Sequence, residues 1–311
     1  MMSDKTVKCF TEEDFEQIAQ CPMCGGMQNA LYYVADAEGN DSCEENRITK
    51  KVSVVTCREC GFVYAREVLS ESGRRKFWER YSSQQHENDS DDVHRRNQMY
   101  QLEYEFVRQF LPGGQRKNVL DVGCAEGGFL DFFEKECNCF GTEVGDEAVQ
   151  RSADRYRVYQ GELPDISIDQ KFDLIIFRGV IQYFRNPLDY FEKAIQLLNP
   201  QGLIFITSTP RADAFCHELF REQFNLPVCA VAGNGFTVDV LKRYFVRHGF
   251  DLAGEKYFYE ETPYANVQKD VEKVNVAMQR RASGEEIGFK APAFWGNMMS
   301  LVFKKSQSEN E

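Results

Sequence analysis

The chain of 311 residues has no run approaching the ~20 consecutive apolar residues of a membrane-spanning helix, which excludes an ordinary helical span. Its first residues, Met-Met-Ser-Asp-Lys-Thr, lack the apolar core of a secretion signal, so the expected location is the cytoplasm. Positive charge is scarce: 37 Lys and Arg stand against 49 Asp and Glu, for a net charge of −12. Broad contact with a phosphate backbone relies on clustered Lys and Arg, so this balance argues against a nucleic-acid partner. Histidine is rarer still, with four in all, which leaves few imidazoles for acid–base chemistry. No internal repeat is present, and the one low-complexity stretch is the polar tail Ser306–Glu311.

Cysteine, by contrast, is plentiful at eleven. In a reducing compartment these read as thiols or metal ligands, not as a disulfide framework. Four form two C-x-x-C-G turns, Cys21-Pro-Met-Cys24-Gly and Cys57-Arg-Glu-Cys60-Gly. In each, glycine permits the positive φ that turns backbone N–H groups toward sulfur. Two such turns supply four thiolates for one tetrahedral ion, as in a zinc ribbon. Four protein ligands close the coordination sphere, so the metal would be structural. A rubredoxin-type iron is the competing occupant. Cys9, Cys43, Cys124, Cys137, Cys139, Cys216 and Cys229 have no partner spacing.

Patterning divides the chain into a lead-in (1–20, with an acidic helical stretch over Thr11–Gln20), the ribbon (21–66), a linker and helix (67–114), a large domain (115–305) and the tail (306–311). Strand-like runs are expected at Ala30–Val34, Lys51–Thr56 and Phe62–Tyr64. Ser82–Asp92 reads as a polar linker or mobile loop, followed by a helix over Val93–Leu111. Strands and helices then alternate: strand 118–122, helix 127–137, strand 139–144, helix 146–155, strand 157–160, strand 172–177, helix 187–198, strand 202–208, helix 237–248, strand 251–259 and strand 298–304. Such alternation implies a doubly wound, mostly parallel α/β sheet covered on both faces. Stretches 210–235 and 261–296 interrupt it, are too long for simple connections, and are expected to be functional insertions or lids. The second holds a helix over Asn266–Ala282 and an aromatic run, Phe289–Trp295.

The most informative stretch is Val119-Leu-Asp-Val-Gly-Cys-Ala-Glu-Gly-Gly-Phe-Leu130, an apolar strand running into a glycine turn. Such a turn lets a nucleotide-type ligand lie against backbone. A dinucleotide site wants G-x-G-x-x-G; here Ala125 stands between Gly123 and Gly127, and the strand ends in Asp121. Asp121-Val-Gly123-Cys124-Ala-Glu-Gly127 instead resembles the first motif of class I S-adenosylmethionine-dependent methyltransferases, and the similarity extends over about 115–255. Gly141-Thr-Glu143-Val144 is similar to the family's second motif, whose acidic residue takes the ribose hydroxyls. Gln160-Gly-Glu162-Leu stands where the family places an acidic residue near the adenine amino group. Phe172–Tyr183 with Asn186-Pro187-Leu188, and Leu197–Ile206, resemble the fourth motif and the lead-in to the fifth strand. The resemblance implies a seven-stranded Rossmann-like methyltransferase sheet carrying a small N-terminal zinc ribbon, with S-adenosylmethionine as methyl donor. It implies a cofactor set of Asp121, Gly123, Cys124, Gly127, Glu143, Val144 and Glu162.

Many related small-molecule methyltransferases carry a histidine after the fourth strand. Tyr183 occupies that position here, and an ordinary phenol is a poor base at neutral pH. Of His86, His94, His217 and His248, His248 reads as a helix-end residue. His217, in the first insertion, is the best placed for catalysis, with a packing role as its alternative. Arg178 is expected to face the cofactor or a substrate anion, with surface pairing as the alternative. Phe77, Trp78, Tyr81, Phe294 and Trp295 could line an apolar pocket or serve packing.

Three functions are open at this point. The first is methyl transfer to a small molecule in a site shaped by the ribbon and both insertions. A ribbon before such a domain is similar to bacterial enzymes acting on sugars or polysaccharide precursors. Arg80-Tyr-Ser-Ser is similar to a segment of nucleotide-sugar C-methyltransferases, whose larger C-terminal domain has no counterpart in this sequence. The second is RNA methylation through the ribbon, where only Arg47, Lys50, Lys51 and Arg58 are basic across Cys21–Cys60. The third is a methyltransferase-like binding protein without catalysis.

Overall fold

A computed structural model describes residues 10–37, 50–84, 90–111 and 113–306. Cys9, Cys43, Arg47, His86 and the tail beyond Ser306 lie outside the described residues. The strands are β1 (Phe15–Gln17), β2 (Asn29–Asp36), β3 (Lys51–Cys57), β4 (Val63–Ala65), β5 (Glu67–Leu69), β6 (Lys117–Val122), β7 (Cys137–Glu143), β8 (Arg157–Gln160), β9 (Phe172–Arg178), β10 (Leu198–Pro210), β11 (Asn234–Gly235), β12 (Phe250–Lys256) and β13 (Met298–Lys305). The helices are α1 (Glu71–Gln84), α2 (Ser90–Arg108), α3 (Asp146–Ala153), α4 (Pro187–Leu197), α5 (Phe215–Phe220), α6 (Val238–Arg247) and α7 (Val267–Ser283).

Seven strands form the main sheet in the order β12-β13-β10-β9-β6-β7-β8. β8, β7, β6, β9 and β10 run parallel, and β13 enters antiparallel between β10 and β12. The chain winds outward from β6 to β8, then crosses back to start β9 on the other side of β6. That reversal opens a crevice beyond the carboxyl ends of β6 and β9, where open α/β sheets bind ligands.

Side chains alternate between the two faces of each strand. Val119, Leu174, Ile176, Leu203 and Phe205 join Tyr104 and Val107 of α2 on one face. Leu120, Ile175, Phe177, Ile204 and Ile206 join Phe191 of α4 and Phe245 of α6 on the other. Both faces are dry, which is why the central strands read as continuous apolar runs. Fully burying a side chain of this size contributes about 2 kcal/mol.

The ribbon strands join β11 in a second sheet of order β11-β4-β3-β2. Val55, Cys57, Phe62 and Tyr64 belong to the same apolar cluster as α4 and α6, so the ribbon packs onto one face of the main sheet.

Several local expectations need correction. The acidic lead-in is a single 3-10 turn (Glu12–Asp14) followed by β1, not a helix. Its Asp14 carboxylate accepts hydrogen bonds from the Thr11 N–H and hydroxyl. The helix expected over 127–137 is an irregular run of turns around a 3-10 segment, Leu130–Phe132. Gly127-Gly128 and the clustered Phe129, Phe132 and Phe133 are weak helix formers, and the three rings are held instead by Tyr100 and Tyr104. The expected linker contains α1, and α2 begins at Ser90, so Ser82–Gln84 and Ser90–Asp92 are helical rather than loop.

Candidate active site

The crevice is a cleft of about 410 Å³, within the range typical of small-molecule sites. Its floor is the glycine turn after β6. Gly123 has φ +74°, and a Cβ there would come within 2.9 Å of Val180, so turn and neighbouring loop close up only around glycine. Gly141 of β7 is bare for a similar reason: a Cβ would lie 2.4 Å from Cys124 Sγ. Cys124 therefore sits buried beneath the turn, and burial pushes its thiol well up.

Asp121, at the end of β6, is 2% exposed and lines the cleft. Its Oδ1 has no hydrogen-bond partner. Burial pushes its carboxyl up to about 7, with Arg178 opposing and Glu143 and Glu103 adding to the rise. A buried, orphaned carboxyl oxygen beside a cleft costs free energy unless a donor or cation meets it.

Glu143 ends β7 and bridges two loops. Its Oε2 accepts from the Ala125 N–H at 2.9 Å, and its Oε1 from Val144 and Gly145 N–H at 2.8 and 3.0 Å. These bonds hold the carboxylate at the mouth of the cleft beside the half-exposed Val144. Beyond β8, Glu162 accepts from the Tyr190 hydroxyl at 2.8 Å and pairs with Arg74 of α1.

The opposite wall comes from α1 and α2. Arg74, Phe77 and Trp78 share one face of α1 at i, i+3 and i+4; Arg96, Tyr100 and Glu103 share one face of α2 at i, i+4 and i+7. All but Glu103 line the cleft. Glu103 anchors α2 to the sheet. It accepts from Arg178 Nε at 2.6 Å, from Thr207 Oγ1 at 2.9 Å and from Ser208 Oγ at 2.5 Å. Both hydroxyls reach it because β10 bulges there, with Ser208 at φ +48° and a register shift between Ile206 and Thr209.

Residues 93–254, more than half of the chain, match the family described as a methyltransferase domain. The chain belongs to the class I methyltransferase family. Its likeness to the malonyl-[acyl-carrier protein] O-methyltransferase of Calditerrivibrio nitroreducens is 27% identity over 97 residues, 31% of this chain and 40% of that protein's length. Among solved structures, it is similar to the YcgJ protein of Bacillus subtilis at 14% identity and TM-score 0.47, covering 67% of this chain and all of that one. A similar likeness links it to an S-adenosylmethionine-dependent methyltransferase of Mesorhizobium loti, at 14% identity and TM-score 0.45, over 65% and 97% of the two chains.

Within this methyltransferase, Asp121, Gly123, Cys124, Glu143, Val144, Glu162, Arg178 and Tyr183 all border one cleft. Gly127 does not. Its φ is +80°, and its missing side chain makes room for the Tyr156 ring, 2.8 Å from where a Cβ would be. Tyr183 meets Trp78 edge to face with ring centroids 5.4 Å apart.

His217 is placed elsewhere. It is 1% exposed among Tyr32, Tyr33 and Phe224, with Nε2 3.4 Å from the Tyr33 hydroxyl, and burial depresses it to about 4. It lines no part of the cleft. His94 is exposed on α2, and His248 donates from Nδ1 to the Tyr244 carbonyl at the end of α6.

The insertions are also placed elsewhere. Cys216, Phe220 and Phe224 of the first pack with Val274, Ala277 and Ile287 of the second in a satellite core. Phe294 and Trp295 pack on Tyr259. None of these residues, and none of the described residues of the ribbon, lines the cleft. What the sequence reading missed is the α1–α2 wall: Arg74, Arg96, Tyr100 and, behind them, Glu103. The i, i+4, i+7 spacing of Arg96, Tyr100 and Glu103 was the available signal.

Cys21, Cys24, Cys57 and Cys60 converge, with all four Sγ atoms within 4.8 Å of one another. The closest pairs, Cys21–Cys60 and Cys24–Cys57, are 3.5 and 3.6 Å apart. Zn–S bonds of 2.3 Å in a tetrahedron would separate sulfurs by ~3.8 Å. The turns repeat one geometry: Gly25 N–H donates to Cys21 O, and Gly61 N–H to Cys57 O, with both glycines at positive φ. Burial raises the Cys21 and Cys60 thiols. Four sulfurs so close together are a donor set that fits Zn²⁺.

Proposed function

We propose that this methyltransferase binds S-adenosylmethionine in the cleft after β6 and transfers its methyl group to a small-molecule acceptor held against α1 and α2. The observation that carries the reading is the orphaned, buried Oδ1 of Asp121 at the cleft floor. It meets the cationic methionine end of the donor, and the glycine turn at Gly123 leaves room for that end against backbone. Glu143, fixed by three backbone N–H groups, retains acceptor capacity for a ribose hydroxyl. Val144 and Leu163 supply apolar contact for a base, with Glu162 at its edge. When bound, the sulfonium supplies an electrophilic methyl group. The residues of the chain hold donor and acceptor in line and exclude water.

Zinc at the four cysteines is a structural element of the same proposal. It ties the ribbon to the face of the sheet through Cys21 and Cys57, which lie in the main core. The domain boundaries follow: a ribbon at 21–66 and a catalytic domain at 115–305, with 67–114 as a substrate-covering segment rather than a linker. A cytoplasmic location accords with the lack, among the described residues, of a helix able to cross a membrane.

Calorimetry with S-adenosylhomocysteine tests the reading. One site is expected, weakened by Asp121→Asn; no binding of either donor or product would overturn it.

A further inference from the structure

Resting on that reading, we propose that the acceptor is a carboxylic acid with an apolar body, methylated on its carboxylate oxygen to give a methyl ester.

Three guanidiniums line the cleft, Arg74, Arg96 and Arg178, interleaved with Phe77, Trp78 and Tyr100. Arg178 lies over the Tyr100 ring, 4.4 Å from its centroid, and gives its Nε–H to Glu103. Among the described residues its Nη groups have no hydrogen-bond partner, so up to four donors remain for an anion at the cleft surface. A planar guanidinium backed by rings suits a carboxylate attached to an apolar body.

Groups able to accept a proton are correspondingly few. Among the described residues, no histidine or lysine lines the cleft. Burial raises the phenols of Tyr100 and Tyr190, placing neutral-pH phenolates further out of reach. Glu162 is held by Arg74 and Tyr190, and Glu143 by backbone N–H groups, with its remaining acceptor capacity assigned to the ribose. Asp121 is assigned to the donor's cation. An alcohol acceptor would need a base that the described residues of the wall do not offer. A carboxylate, ionised above about pH 4, needs no base and can take the Nη donors of Arg178.

The step balances without a proton. A lone pair on one carboxylate oxygen forms the new O–CH₃ bond as the methyl–sulfur bond breaks. The electron pair of that bond stays on sulfur, so sulfonium and carboxylate become a neutral thioether and a neutral ester. Arginine holding one oxygen leaves the other to attack.

The test uses the full chain loaded with S-adenosylhomocysteine, so failure to load would count against the proposed function and not against this inference. Benzoate, cinnamate, hexanoate and octanoate are titrated by calorimetry alongside their primary amides. At least one carboxylate is expected to bind about tenfold more tightly than its amide, as for a charge-assisted pair. Arg96→Gln should remove that preference, with product affinity unchanged, and Arg96→Lys should restore part of it. No carboxylate binding, or equal binding of acid and amide, overturns the inference. With methyl-tritiated donor, label transferred to the preferred acid should be released as methanol by mild alkali; alkali-stable label in any acceptor overturns it too.

Discussion

Arg178 Nε lies 2.6 Å from Oε2 of Glu103, seventy-five positions earlier in the chain. This pair joins the carboxyl end of β9 to α2. Glu103 is 1% exposed. Through it the helix that carries Arg96 and Tyr100 is fastened to the strands that carry the glycine turn. The cleft therefore has two walls of fixed separation, which is what in-line transfer between two bound molecules requires.

Removing the carboxylate while keeping its shape should release α2 and leave the part-buried Arg178 without its partner. Glu103→Gln is expected to lower the stability of unfolding in urea by about 3–5 kcal/mol, the usual cost of breaking a buried pair from one side. Affinity for acceptor carboxylates should fall with it. A loss under 1 kcal/mol would show that Thr207 and Ser208 alone hold the helix.

Asp121 sets the pH dependence. Its carboxyl is pushed up to about 7, mainly by burial, from an ordinary value of 3.8. Between these values the folded chain keeps a proton that the unfolded chain has lost. The unfolded state then binds fewer protons, so this residue's effect on stability turns unfavourable as pH rises from about 4 to about 7. Donor binding runs the other way, because the cation favours the carboxylate. Affinity for S-adenosylmethionine should rise from pH 6 to pH 8, and Asp121→Asn should flatten both dependences. Titrations at several pH values, with urea unfolding at the same values, read the two slopes.

Glu143→Ala should weaken S-adenosylhomocysteine binding by roughly tenfold, about 1.4 kcal/mol. The loss would combine ribose contact with loosening of the Ala125 turn, which Glu143 holds at 2.9 Å. Unchanged affinity would remove the ribose assignment. By the same logic Tyr183→Phe should leave the rate within about threefold, since a base is not required.

Metal analysis should find about one zinc per chain. Because Cys21 and Cys57 share a core with Phe191 and Phe245, Cys24→Ser or chelation should lower the thermal midpoint of the whole protein and not of the ribbon alone. A ribbon that melts separately while the remainder keeps its midpoint would contradict that coupling.

The main sheet was legible in the sequence because a strand buried on both faces must be apolar throughout; runs such as Leu174–Phe177 have few alternatives. That Asp121, Gly123 and Glu143 meet at one cleft was legible for a related reason: they sit at strand ends set by those runs. The α1–α2 wall was not. α1 is polar overall, and its Phe77 and Trp78 have meaning only opposite Tyr183. Glu103 reads as one more surface carboxylate until the β10 bulge brings Thr207 and Ser208 beneath it. His217 misled because an insertion suggests a lid, whereas its neighbours Cys216 and Phe220 pair it with α7 and the ribbon. Contacts so distant in sequence leave little periodic trace beyond the spacing of Arg96, Tyr100 and Glu103 on α2.

The most direct measurement is calorimetric titration of S-adenosylmethionine and S-adenosylhomocysteine into the full chain and into Gly123→Val. The wild-type chain should bind each at one site with micromolar affinity. The variant, whose added side chain must displace Val180 at a backbone φ of +74°, should remain folded by its unfolding curve and bind neither. Equal binding to both chains, or binding to neither, would contradict the placement of the methyl donor on the turn after β6.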